Sequence, residues 1–237
     1  MTEYLFPPPA PVAVPIRDSD QRFPVHRVFC VGRNYAAHVR EMGFDPDREP
    51  PCYFTKSSSA IVVSGDKSGA TIPYPPGTSD LHHEIELVAA IGRAGFRIAV
   101  EDALEHVYGY ACGLDMTRRD LQVTSREQKG PWDVGKDFDN AAIIGAIAPA
   151  ASVGHPDKGR VGLAVNGEMR QDADIAGLIW SVAEIVADLS QFYRLVPGDL
   201  IYTGTPAGVG PVEPGDRLVG SIDGIGEIEL TIEPAVP

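Results

Sequence analysis

The stretch that most constrains the fold is Leu81–Gly92, LHHEIELVAAIG. Glu84 and Glu86 alternate with Ile85 and Leu87, and the run then becomes wholly apolar. Alternation passing into an apolar run is the pattern of a strand entering a core. Residues two apart on a strand share a face, so the two carboxylates project together and repel each other. Two anions at that spacing beside a core call for a cation. The pair is read as half of a divalent-metal site, whose oxygen donors favour Mg2+, Mn2+ or Ca2+ over zinc. A solvated strand face is the alternative, and the apolar flanks argue against it.

The third ligand is expected to be another carboxylate at the end of an element. Asp115, in YACGLDMTRRD, follows a small apolar run and fits. It also fits the N-cap of a polar helix over Asp115–Glu127, and spacing leaves both roles open. His82 shares the expected face of Glu84 and Glu86, whereas His83 lies opposite; both are read as structural histidines. His38 and Glu41, in AAHVREMG, are neighbours on a helix. A carboxylate beside an imidazole fixes its tautomer and raises its basicity, as a general base requires. Taken alone, the pair reads equally as an exposed helix face. Lys136, in the polar loop KGPWDVGKDFD, can stabilise an oxyanion or form a surface ion pair. The run Gly204–Gly210, GTPAGVG, lacks the GK[ST] of a phosphate loop, although its tight backbone and Thr203 and Thr205 can donate to an anion.

Composition narrows the class. The chain has 237 residues, 43% of them apolar, enough for one sizeable core. Its 21 prolines and 25 glycines exceed ordinary usage and favour turns and short strands. A net charge of −13 argues against nucleic-acid binding. Three cysteines without CxxC spacing suit a reducing compartment. The proline-broken N-terminus is no signal peptide, and no apolar run approaches the ~20 residues of a membrane span. A soluble cytoplasmic protein is expected.

Along the chain, residues 1–24 read as a Pro-rich arm, and 25–237 as one β-rich α+β domain. Strands are expected at His26–Gly32, Cys52–Thr55, Ala60–Ser64 and Ala141–Ala148. Arg33–Gly43 reads as a short helix stopped by Gly43, Phe44–Pro51 as a charged loop, and Gly65–Asp80 as turn-rich. Asn166-Gly167 marks a hairpin between Val161–Glu168 and Met169–Gln171. Ile179–Tyr193 has the clearest helical spacing.

Together these segments resemble the fumarylacetoacetate hydrolase family. The likeness runs from about Val25 to Ile232 and is carried by GRNYAAHVREMG, HHEIEL, YGYACGLDMTRRDLQ, PWDVGKDFD, VNGEMRQ and PGDLIYTGTPAGVGPV. The N-terminal half is most similar to members that cleave fumarylpyruvate in the gentisate pathway of aromatic catabolism. The resemblance implies a mixed β-roll, a homodimer, and a metal held by Glu84, Glu86 and Asp115. It implies that His38 and Glu41 activate water on a lid helix, and that Lys136 is the active-site lysine. Gln122, Arg119 and Thr205 fall at substrate-contacting positions. Arg126 stands where the larger two-domain members carry tyrosine, which points to the acylpyruvase-type branch.

The implied reaction is hydrolysis of the C–C bond of a 2,4-diketo acid, fumarylpyruvate giving fumarate and pyruvate. Oxaloacetate decarboxylation or tautomerisation, or isomerisation of a 2-keto acid, is the alternative use of the same carboxylates. A binding protein merely stabilised by metal is a third reading. For the distal carboxylate of the substrate, Arg33, Lys56, Arg118 and Arg119 are candidate partners.

Overall fold

The computed structural model describes residues 3–42, 49–65 and 69–236. Gly43, Phe44–Asp47 and Arg48 of the expected helix stop and charged loop, and residues 66–68 of the turn-rich segment, lie outside the described residues. The strand-rich α+β expectation holds. One large sheet runs in the order Cys52–Lys56, Val28–Gly32, Leu200–Tyr202, Ile85–Ile91, Val107–Asp115, Ala142–Ile144, Ile61–Val63, with Ala148–Pro149 also pairing to Val107–Asp115. A second has the order Glu168–Asp174, Arg160–Val165, Arg217–Ile222, Gly226–Glu233, Ala70–Pro73. A small third sheet joins Thr117–Arg118, Leu81–His83 and Gly210–Pro211.

The central strand Ile85–Ile91 is buried on both faces, which explains its continuous apolar run. Ile85, Leu87, Ala89 and Ile91 join the larger core with Leu163, Leu218, Ile228 and Leu230 of the second sheet. Val88 and Ala90 point into a smaller core with Val28, Cys30, Ala111 and Tyr202. That smaller core is closed by the N-terminal segment read as an arm. Within it Ala13–Pro15 pairs antiparallel with Arg22–Pro24, burying Val14 and Phe23. Fully burying each such aliphatic or aromatic side chain contributes about 1.5–3 kcal/mol.

Three local expectations change. The helix read over Ile179–Tyr193 spans Val182–Phe192, because Ser181 and Glu184 form a reciprocal capping box that sets its start. The helix read from Asp115 begins at Arg119; Asp115 instead ends the strand Val107–Asp115. Its backbone is committed to that sheet, paired with Ala142, so it is not a cap. The loop Lys129–Asp139 contains a short helical turn, Asp133–Lys136. The hairpin at Asn166-Gly167 forms as expected, with φ of 53° and 81° at its two central residues. No helix among the described residues is long and apolar enough to cross a membrane.

Candidate active site

Leu81–Gly92 is not one strand. It breaks at Glu84, where Leu81–His83 passes to the small sheet and Ile85–Ile91 continues in the large one. The neighbouring chain breaks at the same level: Ile85 pairs with Leu114 on one side of the break and His82 with Thr117 on the other. The Asp115 amide donates to the Glu84 carbonyl at 2.9 Å, so these two residues face each other across the break. Glu86 lies opposite Gly113 one step into the sheet. The carboxylates of Glu84, Glu86 and Asp115 therefore converge, with one oxygen of each within 4.8 Å of the others, and all three residues are buried.

Buried carboxylates carry a desolvation cost of several kcal/mol each unless charge and hydrogen bonds offset it. Lys136, fully buried, spends its three protons on Glu84 Oε2, Asp115 Oδ2 and Thr117 Oγ1, each at 2.7 Å. Arg119 donates to Glu84 Oε1 and to Gln122 Oε1. Burial opposes ionisation of Glu84, but Lys136 and Arg119 outweigh it and hold its carboxyl far below the usual range. Burial likewise opposes the charge on Lys136, and Asp115 and Glu84 outweigh it, so the ammonium persists. Glu86 differs. It accepts from the Gly204 amide at 2.7 Å, and burial, then the charges of Asp115 and Glu84, push its carboxyl well up.

Two features fit a divalent cation. Glu86 is the carboxylate whose charge the protein opposes rather than supports. Asp115 Oδ1 is buried and accepts no hydrogen bond. Lys56 Nζ stands 2.8 Å from that oxygen, near enough to pair charge but off the direction of a hydrogen bond. Three oxygen donors from three carboxylates suit Mg2+ or Mn2+, which take about six oxygen ligands and leave positions for substrate and water.

The remaining expected residues gather around this cluster. His38, Arg119, Gln122, Lys136 and Thr205 line one pocket with the three carboxylates. His38, on the helix Ala36–Glu41, has Nδ1 3.0 Å from Glu41 Oε2. A carboxylate accepts, so Nδ1 carries the proton and Nε2 is left as a base. Gln122 lies one turn after Arg119. Thr205 Oγ1 accepts from Gln171 Nε2 at 2.8 Å. His83 is buried, bonded to Gln171 Oε1, and its pKa is lowered by burial to about 4, so it is a neutral structural residue at neutral pH. His82 bonds Asp80 and receives Arg119 Nε. Of the four candidates for a distal carboxylate, Lys56 is turned away, facing Asp115 and donating to the carbonyls of Met116 and Lys136. Arg118 lies over the Phe138 ring, 4.3 Å from its centroid, outside the pocket lining.

Several supporting groups were not visible in the residue pattern. Gln171, completely buried, accepts from Ile85 N and His83 and donates to Thr205 and the Pro206 carbonyl. It clamps both sides of the break at Glu84 to the loop GTPAGVG. The anions served by that loop belong to the protein: Gly204 N–H donates to Glu86, and Gly208 N–H to both oxygens of Glu41 at 3.0 and 3.2 Å. Gly208 has φ of 95°, and a Cβ there would lie 2.0 Å from the Arg170 carbonyl oxygen. Gly208→Ala is expected to displace the loop, loosen Glu41 and lower kcat by about tenfold or more. Titration of kcat against pH, with Mn2+ affinity as control, checks this; an unchanged profile contradicts it.

Comparisons with known proteins give the family. The family described as fumarylacetoacetate (FAA) hydrolase C-terminal matches residues 27–233. A fumarylpyruvate hydrolase of Ralstonia sp is 51% identical over 191 residues, 81% of this chain and 97% of that protein. A mitochondrial oxaloacetate tautomerase of Arabidopsis thaliana is 37% identical, over 89% of this chain and 92% of its own. The crystal structure of fumarylpyruvate hydrolase from Pseudomonas aeruginosa, in complex with Mn2+ and pyruvate, superposes with a TM-score of 0.96. It is 56% identical and covers 98% of this chain and 100% of its own. The chain thus belongs to the fumarylacetoacetate hydrolase family.

Proposed function

We propose that this protein is a divalent-metal-dependent hydrolase that cleaves the C–C bond of a 2,4-diketo acid, converting fumarylpyruvate to fumarate and pyruvate. One observation carries the reading: a buried three-carboxylate cluster shares its pocket with an imidazole whose tautomer is set by a carboxylate. A metal-binding or tautomerising site needs the first; hydrolysis needs both. The likeness to fumarylpyruvate hydrolases supports the substrate.

Glu84, Glu86 and Asp115 hold Mg2+ or Mn2+ in this reading. The ion supplies Lewis-acid pull on the 2-keto oxygen and carboxylate of the substrate. His38 Nε2 takes a proton from water, whose oxygen attacks the 4-carbonyl. Glu41 keeps the imidazole aligned and stabilises it once charged. Lys136 lends its positive charge to the oxyanion that forms at that carbonyl, while its three protons stay on Glu84, Asp115 and Thr117. Gln122 Nε2 and the Thr205 hydroxyl orient the diketo acid. Collapse of the oxyanion breaks the bond to the pyruvate methylene carbon, and the proton on His38 returns to that carbon. Atoms balance: one water enters, and one carboxylic acid and one 2-keto acid leave.

A homodimer acting in aromatic catabolism of the gentisate type is part of the same proposal, on the family resemblance of its motifs, and a cytoplasmic location on the sequence pattern. The acidic net charge argues against a nucleic-acid partner, and local positive charge in the pocket decides whether a small anion binds. Residues 25–237 form the catalytic domain in this reading, with 1–24 as its N-terminal extension. A panel of fumarylpyruvate, maleylpyruvate, acetylpyruvate, fumarylacetoacetate and oxaloacetate tests the assignment. Fumarylpyruvate is expected to have the highest kcat/KM; conversion of oxaloacetate alone assigns the protein to the tautomerase branch instead.

A further inference from the structure

Arg119, Gln122 and Arg126 lie on one face of the helix Arg119–Glu127, since residues three, four and seven apart align. All three line the pocket. Arg119 marks the inner end, bonded to Glu84, and is buried; Arg126, in the last turn, is half-buried. At about 1.5 Å per residue, Arg126 lies about 10 Å along the axis from Arg119. Arg33 reaches the same pocket from the end of the strand Val28–Gly32. Its guanidinium lies 5.9 Å from the centroid of Trp132, another lining residue. Arg33 also has φ of 61°. Non-glycine residues in that region are uncommon and cluster at ligand sites, where surrounding structure holds them. Val31, Phe54 and Trp132 supply apolar wall.

The pocket therefore has two poles. The inner pole is the carboxylate cluster, paired with the side chains of Lys136 and Arg119. The outer one presents two guanidiniums from separate elements, in a chain whose overall charge of −13 repels anions. We infer that Arg126, assisted by Arg33, binds a second carboxylate at the far end of the substrate. The site thereby selects diketo acids whose acyl group ends in a carboxylate over neutral acylpyruvates. This rests on the metal-anchored diketo-acid reading above. In an extended seven-carbon diacid the carboxyl carbons stand about 7 Å apart by standard bond lengths, a span that carries the far carboxylate from the cluster towards Arg126. The planar guanidinium fork matches a carboxylate with two parallel hydrogen bonds.

In the last turn of its helix, the charge of Arg126 also complements the C-terminal dipole. That role affects all ligands alike, so a ratio separates the two. The experiment is calorimetric titration of the full-length, Mn2+-loaded protein with 2-oxoheptanedioate and with 2-oxoheptanoate. These acids differ only at the far end, and neither has a 4-keto group to be cleaved. Wild-type protein is expected to bind the diacid about tenfold or more tighter, the size of one charged hydrogen bond. Arg126→Met is expected to cut that preference below about threefold, and Arg126→Lys to retain an intermediate one. Both acids are measured on one preparation, so a misfolded fraction cancels. Equal binding by the wild type, or an undiminished preference in Arg126→Met, overturns the inference. Absence of fumarylpyruvate cleavage alongside a strong diacid preference fails the proposed reaction and leaves this inference standing.

Discussion

Glu84→Gln is expected to abolish Mn2+ binding and turnover together. The amide keeps the size of the side chain and removes the charge on which Lys136 and Arg119 both converge. The cluster then has two carboxylates, and both cations lose part of their partner. Loss of a group that merely orients a metal ligand costs 10–100-fold, so loss of a ligand is expected to cost at least about a hundredfold. Calorimetric Mn2+ titration and steady-state rates on one preparation check it. Glu86→Gln is the cleaner companion, because Glu86 accepts from the Gly204 amide, a neutral donor. It is expected to give the same paired loss. Wild-type activity of either variant in excess chelator contradicts the metal role.

His38→Ala separates the two halves of the site. Its imidazole lines the pocket but is not among the converging carboxylates, so Mn2+ affinity is expected to stay close to wild type. Hydrolysis is expected to fall by about 10²–10⁴, the contribution of a positioned general base. Any tautomerase activity that depends on the metal alone is expected to fall less. The measurement is the ratio of fumarylpyruvate cleavage to oxaloacetate tautomerisation in the variant and the wild type. Wild-type-like cleavage by His38→Ala contradicts the assignment of the base.

Much of this site is legible in residue order. Glu84 and Glu86 are two apart beside a core, His38 and Glu41 are one helical turn apart, and both pairs act locally. The break at Glu84 is not legible, because it depends on Gln171, 88 positions from His83, and on a matching break after Asp115. A continuous strand and the broken one both place the carboxylates near each other, so the right cluster follows from an incomplete account of the backbone. Asp115 is ambiguous in isolation between cap and ligand; its pairing with Ala142 in the sheet rules out the cap. Backbone donors are the hardest to foresee. The glycines of GTPAGVG suggest anion binding, yet the anions are Glu86 and Glu41 of the same chain. Lys56 illustrates the same limit: it is read as a candidate partner for the distal carboxylate of the substrate, and only the fold turns it against Asp115.

Cleavage of an acylpyruvate is expected to require a metal held by Glu84, Glu86 and Asp115. Metal-stripped protein titrated with Mn2+, with fumarate and pyruvate followed by NMR during fumarylpyruvate turnover, tests it most directly. Equimolar fumarate and pyruvate are expected, at a rate that rises with bound Mn2+, saturates near one ion per chain, and vanishes with excess chelator. Cleavage at an undiminished rate in the stripped protein, or no cleavage at full Mn2+ occupancy, contradicts it.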